Sequence, residues 1–339
     1  MKARLQFVII MCAVATITAI VSHSFVSWLR IETRSGGYWS VGRETARQSA
    51  FLAGSSLAGD GLSWRKISDE LNLRIEGWGV AGSSPCEWEQ FQQLATQTKL
   101  TILVVSPYDL NEYFLSDFRA DVVPLRQTIN DLLDSRADWS FWKRVLSQYP
   151  RKYLRIVYPT AGRSVGVMAG VRDELTKAVQ VVIPIQSEAV PTLSFTENAS
   201  TQDYHREKIS NWSSGRMLRR LAEMRGASQG KHAFNGPKKL AFFRMLRQAQ
   251  QRGRTVVVVF PVSPIYAKEF LTSEVNREFE AALIEVQHSA PEASWIRLDQ
   301  VKELNSNEYF WDFVHMNSYG QTIATEAFLP QFIESTGLQ

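Results

Sequence analysis

The chain has 339 residues, and its 38 lysines and arginines against 34 aspartates and glutamates give a formal net charge of +4. Hydrophobic residues make up 45% and charged residues 21%, a globular composition that excludes intrinsic disorder and collagen-like repeats. Two cysteines exclude a disulfide-stapled scaffold and a cysteine-rich metal site, and five dispersed histidines form no cluster, so we predict no metal and no cofactor.

An apolar segment opens the chain. Residues Leu5 to Leu29 contain no aspartate, glutamate, lysine or arginine. As a helix they would extend roughly 37 Å, enough to cross a hydrocarbon core of about 30 Å. With Lys2 and Arg4 before it, the segment predicts a membrane anchor over residues 1–30. A cleaved secretory signal is the alternative, and because both export the remaining chain, Cys86 is predicted to be a buried or free thiol.

Strands and helices are predicted to alternate after a polar linker at residues 31–48. The strands are short apolar runs without polar alternation, which is typical of a parallel sheet covered by helices on both faces. The predicted strands are Ser49–Ala53, Leu73–Trp78, Leu100–Val105, Thr255–Phe260 and Ser294–Leu298. The predicted helices are Leu62–Leu71, Glu87–Thr98, Pro237–Gln251 and Glu274–Gln287.

This alternation is interrupted between residues 113 and 253. The segment carries 23 lysines and arginines against 12 acidic residues, whereas residues 31–112 and 254–339 are net acidic. We interpret it as a basic helical insertion within one α/β domain that spans residues 49–335.

The basic insertion has two interpretations. It is either a solvated helical cap or a surface that meets anionic lipid or an acidic glycan. In the second case, charge reversal at Arg151, Lys152 and Arg155 is expected to weaken the association. An exported chain makes nucleic acid an improbable partner, so none is predicted.

A serine turn follows the first predicted strand, with the sequence Gly54-Ser55-Ser56-Leu57-Ala58-Gly59. In open parallel sheets, functional groups collect at the carboxyl ends of strands. A serine at a strand-to-helix turn exposes its hydroxyl, and its amide lies near the positive end of the helix, which suits a nucleophile. The alternative is a plain Ser/Gly loop, and the phosphate-loop patterns are absent.

An aspartate stands three residues before a histidine near the end of the chain, at Asp312 and His315. A nucleophilic serine needs a base, and the base needs a carboxylate that fixes its tautomer. Only His315 lies at a strand–helix junction of the predicted sheet. A helix-capping aspartate is the alternative. The other histidines fall in the anchor (His23), the insertion (His205 and His232) and the end of a polar helix (His288).

These motifs resemble the SGNH (GDSL-type) hydrolase superfamily over roughly residues 49–112 and 254–335. Gly54-Ser55-Ser56-Leu57 resembles its opening G-D-S-L block, Gly79-Val80-Ala81-Gly82-Ser83 its second block, and the segment from Asp312 to Gly320 its closing D-x-x-H block. The resemblance implies a three-layer α/β/α, flavodoxin-like fold with a central parallel sheet. It also implies a serine-dependent acyl transfer or hydrolysis.

The resemblance assigns roles to individual residues. Ser56 would be the nucleophile, His315 the general base and Asp312 the group that orients the imidazole. Amides of Ser56 and Gly82 would bind the oxyanion. Two positions depart from the family pattern. Ser55 replaces the aspartate before the nucleophile, and Tyr108 stands where the third block has its oxyanion asparagine, for which Asn111 is a candidate substitute.

An amino-terminal anchor joined to such a domain resembles the alginate O-acetyltransferases and the teichoic-acid D-alanine transfer proteins. That implies a single-pass protein of the bacterial inner membrane with its catalytic domain in the periplasm. It also implies O-acylation of an envelope or secreted polysaccharide, beside a polytopic membrane O-acyltransferase that supplies the acyl group. The alternatives are an anchored carbohydrate esterase or deacetylase, and a non-catalytic polysaccharide-binding or assembly protein on the same fold.

Overall fold

The computed structural model describes residues 14, 16–18, 20, 38–43, 45, 46, 48–79, 82–92, 98–115, 119–135, 138–150 and 207–338. Most of the predicted anchor lies outside these residues, as do His205, Arg151, Lys152 and Arg155. Within the part of the chain that is described, no helix is long and apolar enough to cross a membrane. The sheet and all the candidate residues lie in one compact unit, Ser35–Trp142 with Leu193–Gln339.

A six-stranded sheet forms the centre of this unit. Its order is β1-β3-β2-β4-β5-β6, and β2 to β6 run parallel to one another. Counted among themselves, these five strands follow the order 2-1-3-4-5 of flavodoxin-like sheets. The predicted α/β class is confirmed, and most of the strands are parallel. The strands are β1 Tyr38–Val41, β2 Gln48–Gly54, β3 Leu73–Gly79, β4 Leu100–Val105, β5 Arg254–Val259 and β6 Ser294–Arg297.

The edge strand β1 corrects two expectations, because the sheet is mixed rather than wholly parallel and residues 31–48 are not only a linker. β1 pairs antiparallel with β3, with Tyr38 opposite Trp78 and Val41 opposite Ile75. Three of the four residues of β1 have high strand propensity, but a run of four residues is too short to indicate a strand by itself. Their conformation is fixed by pairing with β3, a tertiary contact that sequence pattern does not reveal.

The described residues form twelve α-helices. Each of the four predicted helices overlaps one of them. The predicted helix Leu62–Leu71 begins two residues later, after its cap Ser63, and a separate short helix that is not predicted precedes it and ends at Gly61. The helices are α1 Ser56–Asp60, α2 Trp64–Leu71, α3 Pro85–Gln92, α4 Pro107–Leu110, α5 Arg119–Val122, α6 Leu125–Asp134, α7 Trp139–Leu146, α8 Ser214–Ser228, α9 Pro237–Arg252, α10 Pro264–Phe270, α11 Ser273–Ser289 and α12 Ser318–Thr336.

Helices cover both faces of the sheet, so the strands are buried on two sides. Leu52, Ile102 and Val258 point to one face, where α2, α8, α10 and α12 pack. Phe51 and Leu103 point to the other, where α3, α9 and α11 pack. This double burial explains the continuous apolar runs of the strands. Helix α9 falls inside the predicted insertion range 113–253, yet it packs on the sheet as one of its covering helices.

Candidate active site

The candidate nucleophile, Ser56, lies at the junction between β2 and α1. β2 ends at Gly54, Ser55 caps the helix by accepting a hydrogen bond from the Leu57 amide at 3.3 Å, and Ser56 is the first helical residue. β2 lies between β3 and β4, where the order of the parallel strands reverses. The carboxyl ends of strands at such a switch point form the crevice in which open α/β sheets bind ligands.

Gly54 is packed too closely to carry a side chain. A Cβ at this position would meet the Cβ of Ala58 and would lie 3.0 Å from the carbonyl oxygen of Val104. The absence of a Cβ therefore lets the turn that carries Ser56 pass close to β4.

Gly54→Ala is expected to lower the free energy of unfolding by about 1–3 kcal/mol, because the added methyl overpacks the turn. It should also slow any reaction of Ser56, since the turn must shift. Thermal unfolding and reaction with a serine-directed fluorophosphonate measure the two effects. Gly59→Ala is the matched control, because a Cβ there meets nothing within 4 Å. If Gly54→Ala and Gly59→Ala have the same unfolding temperature and the same labelling rate, close packing at Gly54 does not position the turn.

The loop that carries Asp312 and His315 is fixed by its own backbone. Asp312 Oδ1 accepts hydrogen bonds from the amides of Val314 at 2.8 Å and His315 at 2.7 Å. Phe310 and Met316 form an antiparallel bridge across the loop. These contacts hold the Asp312 carboxylate and the His315 backbone in one rigid turn before α12.

The three predicted triad residues form one hydrogen-bonded chain, which we call the Ser–His–Asp chain. Ser56 Oγ lies 2.6 Å from His315 Nε2, and His315 Nδ1 lies 2.8 Å from Asp312 Oδ2. With its proton on Nδ1, the imidazole donates to Asp312 and accepts from the Ser56 hydroxyl at Nε2. The Asp312 side chain is 6% exposed and that of His315 is 19% exposed, so the carboxylate is buried while the imidazole borders solvent.

The electrostatics of this chain favour an ion pair. Burial alone would lower the pKa of His315, but the charge and hydrogen bond of Asp312, with the charges of Asp60 and Asp109, raise it above its usual value. Burial alone would raise the pKa of Asp312, but the charge of His315 and hydrogen bonds from the His315 ring and two backbone amides lower it. A proton accepted at Nε2 is therefore stabilised by an ionised carboxylate.

The predicted second block lies beside the nucleophile turn. Gly79, at the end of β3, pairs with Gly54 of β2, and the Ser83 hydroxyl donates to the Gly54 carbonyl oxygen at 3.4 Å. Gly82, the predicted oxyanion donor, is exposed and adopts a φ of +71°, a conformation that favours glycine. Residues 80 and 81 lie outside the described part of the chain.

Asn111, the candidate substitute for the third oxyanion donor, is fully buried and engaged elsewhere. Its Oδ1 accepts from the amides of Tyr113 and Ala233, and its Nδ2 donates to the Lys231 carbonyl oxygen. Among the described residues, the Asn111 carboxamide makes no other hydrogen bond, and none of these three is with Ser56. The structure therefore brings Ser56, His315 and Asp312 together, but it gives the Asn111 side chain a role in joining two loops.

Tyr108, at the position of the missing asparagine, lies in the neighbourhood of the Ser–His–Asp chain. Its ring contacts the ring of Phe114 with 4.5 Å between centroids. Burial raises the pKa of Tyr108 to about 12, and the negative charges of Asp109 and Asp312 add to this. The phenol is therefore protonated at neutral pH and remains a hydrogen-bond donor.

Asp109 is a buried carboxylate that sequence reasoning did not single out. Its Oδ2 accepts from the Ser106 amide at 2.9 Å and the Ser106 hydroxyl at 2.8 Å. Burial raises the pKa of Asp109 to about 6, although hydrogen bonds from the Ser55 and Ser106 hydroxyls oppose the rise. The spacing Ser106-x-x-Asp109 is a capping-box pattern and could have marked the start of α4.

The cations of the 207–225 segment are largely paired with acids. Arg216 binds Glu207 through two nitrogens, and its guanidinium also lies over the ring of Trp212. Further pairs join Lys208 to Glu308, Arg220 to Glu223 and Arg225 to Glu269. Only Glu269 and Glu308 come from outside residues 113–253, so these two acids offset part of that segment's net positive charge.

Among the described residues, no three histidine, cysteine, aspartate or glutamate side chains come together in a way that could hold a metal ion. Cys86 is buried and free, and burial raises the pKa of its thiol to about 12, so it is unreactive at neutral pH.

No family model matches the chain, and no curated protein is similar enough to be matched.

Proposed function

We propose that the protein is an SGNH-type serine acyltransferase that forms an acyl-Ser56 intermediate and passes the acyl group to a polysaccharide hydroxyl. The observation that carries this proposal is the Ser–His–Asp chain, with 2.6 Å between Ser56 Oγ and His315 Nε2 and 2.8 Å between His315 Nδ1 and Asp312 Oδ2. Its position at the switch point of the parallel sheet agrees with the motifs read from the sequence.

In the first half-reaction, Ser56 Oγ attacks the carbonyl carbon of an activated acyl donor while His315 Nε2 accepts the hydroxyl proton. The carbonyl oxygen becomes an oxyanion. His315 then gives its proton to the leaving group, whose bond to the acyl carbon breaks, and acyl-Ser56 remains. Asp312 stays ionised throughout and stabilises the imidazolium that forms between the two proton transfers.

Oxyanion stabilisation is assigned to amides of Ser56 and Gly82. Ser56 is the first residue of α1, and the first amides of a helix have no acceptor within it. Preorganised amide donors of this kind are worth about a hundredfold or more in rate each. Tyr108 stands at the aligned position of the family's asparagine, and its phenol, protonated at neutral pH, is our candidate for the third donor.

The second half-reaction reverses the first with a new acceptor. A sugar hydroxyl gives its proton to His315 Nε2 and attacks the acyl carbon, and Ser56 Oγ leaves with that proton. If water replaces the sugar, the same residues make the protein an esterase. The 19% exposure of the His315 side chain leaves the base open to an acceptor from solvent, which either reaction needs.

The proposed cellular setting follows from the predicted anchor. A single helix in the inner membrane would hold the catalytic unit in the periplasm, beside a polytopic membrane acyltransferase that delivers acyl groups across the bilayer. The apolar, uncharged sequence from Leu5 to Leu29 supports this setting.

The test is covalent labelling of Ser56 in the full chain. Incubation with p-nitrophenyl acetate is expected to add one acetyl group to the peptide that contains Ser56, and Ser56→Ala is expected to lose this label entirely. Ser63→Ala is the matched control, because Ser63 makes no side-chain capping bond at the start of α2. If Ser56→Ala is labelled as well as the wild type, the proposed function is wrong.

The acceptor is identified by the fate of the acetyl group. With a uronate tetramer or a neutral glucan tetramer present, a transferase should form acetylated oligosaccharide faster than free acetate, as mass spectrometry and acetate release would measure. Acetate release that no oligosaccharide alters would favour the esterase. A chain that is never labelled would favour a non-catalytic binding protein.

A further inference from the structure

The indole of Trp311 is stacked on the imidazole of His315. The two ring centroids lie 5.1 Å apart, and the ring planes are inclined by only 18°. The contact is built into the loop, because the Trp311 amide donates to the His315 carbonyl oxygen at 3.1 Å. One residue further out on each side, Phe310 and Met316 form an antiparallel bridge. The backbone pairing of the loop therefore places the indole against the face of the imidazole.

The imidazole of His315 can change its orientation only by rotation about its Cα–Cβ and Cβ–Cγ bonds. Its hydrogen bonds at Nδ1 and Nε2 oppose this rotation at the edge of the ring. A flat partner against one face opposes it as well, and it does so even while Ser56 gives up its proton and the bond at Nε2 changes. Trp311 supplies that face, and the orientation it fixes is the one in which Nε2 meets Ser56 Oγ.

The stack also distinguishes between the two protonation states of the ring. The face of an indole is electron-rich and attracts a cation within about 6 Å of its centroid. A neutral imidazole gains less from such a contact than an imidazolium. The other groups that act on His315 are the carboxylates of Asp312, Asp60 and Asp109, which favour the charged ring, and the Ser56 hydroxyl, which donates to the neutral one.

We propose that Trp311 is a positioning residue for His315, whose indole holds the imidazole plane toward Ser56 and stabilises the ring when it carries a second proton. Its role in catalysis rests on the proposed function, but its effect on His315 does not. Trp311 acts through His315.

The direct test is the titration of His315 in the full chain, followed by NMR of protein labelled at histidine and assigned with His315→Gln. Trp311→Leu is expected to lower the apparent pKa of His315 by about half to one pH unit, because the imidazolium loses its aromatic partner. In Trp311→Phe, the apparent pKa of His315 is expected to lie between its values in Trp311→Leu and in the wild type. Trp311→Phe also serves as the test variant if Trp311→Leu does not fold. Trp295→Leu, which removes an indole from the edge strand β6, is the control and should leave the titration unchanged.

A second readout is the pH profile of Ser56 labelling by a fluorophosphonate. The Trp311→Leu profile should shift to lower pH by the same amount, and its plateau rate should fall about tenfold because the base is less well oriented. If His315 titrates in Trp311→Leu and Trp311→Phe as in the wild type, the proposal is overturned. The titration needs no reaction at Ser56, so failure of labelling in the wild type would overturn the proposed function and leave this result standing.

Discussion

Replacement of Asp312 by asparagine is expected to slow the formation of acyl-Ser56 by about ten-thousandfold while the fold is retained. An asparagine can still accept from the backbone amides of Val314 and His315 through its oxygen, as Asp312 Oδ1 does now. Its amide nitrogen would then face His315 Nδ1. Because that nitrogen is a donor, the imidazole would carry its proton on Nε2 and could no longer accept one from Ser56.

The substitution also removes the charge that stabilises the imidazolium. Asp312 raises the pKa of His315, so the pH profile of labelling in Asp312→Asn should shift to lower pH than in the wild type. Fluorophosphonate labelling between pH 5 and 9 measures both rate and profile. Asp69→Asn, at an exposed position of α2, is the control and should leave both unchanged. A loss smaller than tenfold in Asp312→Asn would mean that Asp312 does not set the tautomer and charge of His315.

The sheet and the Ser–His–Asp chain could both be predicted from sequence because each depends on a local pattern. Strand β4 is predicted with its observed bounds, Leu100–Val105, because five of its six residues are apolar, and all six are buried in the structure. Ser56 and His315 are 259 residues apart, but their chemical types and their places at the edge of the sheet were enough to pair them. A parallel sheet collects the residues that follow its strands at one edge, so sequence order predicts proximity there.

The rest of the site could not be predicted because it depends on tertiary contacts. Asn111 has the correct chemistry for an oxyanion donor, but its carboxamide joins the loop after α4 to residues 231–233. Trp311 is one of ten tryptophans, and nothing in its sequence neighbourhood indicates that it stacks on His315. The strand β1 likewise exists because β3 offers an open edge. In each case the partner is fixed by packing over a long sequence separation.

Lys238 is buried beside the loop that follows α4, and it is 2% exposed. Its Nζ donates to the carbonyl oxygens of Asn111 at 2.7 Å and Phe114 at 2.6 Å. Its backbone amide donates to Glu112 Oε1 at 2.9 Å. Burial raises the pKa of Glu112 to about 7, although the charge of Lys238 opposes the rise. One ammonium group thus satisfies two buried carbonyls and partly neutralises a buried acid.

Lys238→Met is expected to lower the free energy of unfolding by about 3–5 kcal/mol, because two carbonyls lose their donor and Glu112 loses its counter-charge. Glu112 would then bind its proton more tightly in the folded state. A carboxyl with a raised folded pKa makes stability fall as pH rises from its unfolded value through its folded value. The deficit of Lys238→Met relative to the wild type should therefore be larger at pH 8 than at pH 5.5.

Urea unfolding at these two pH values measures the deficit, and the neighbouring Lys239→Met is its control. Lys239 is also largely buried, but its Nζ binds Asn235 and Glu285, and Glu285 is 63% exposed. Lys239→Met therefore leaves no buried carboxylate without its counter-charge and is expected to cost less than Lys238→Met. A deficit of similar size in both variants would show that the loss of lysine packing, rather than of a buried charge, is responsible. Because the Lys238 bonds hold the loop next to Tyr108 and Asp109, Lys238→Met should also slow Ser56 labelling under conditions where the variant remains folded. Lys239→Met should leave the rate of Ser56 labelling unchanged.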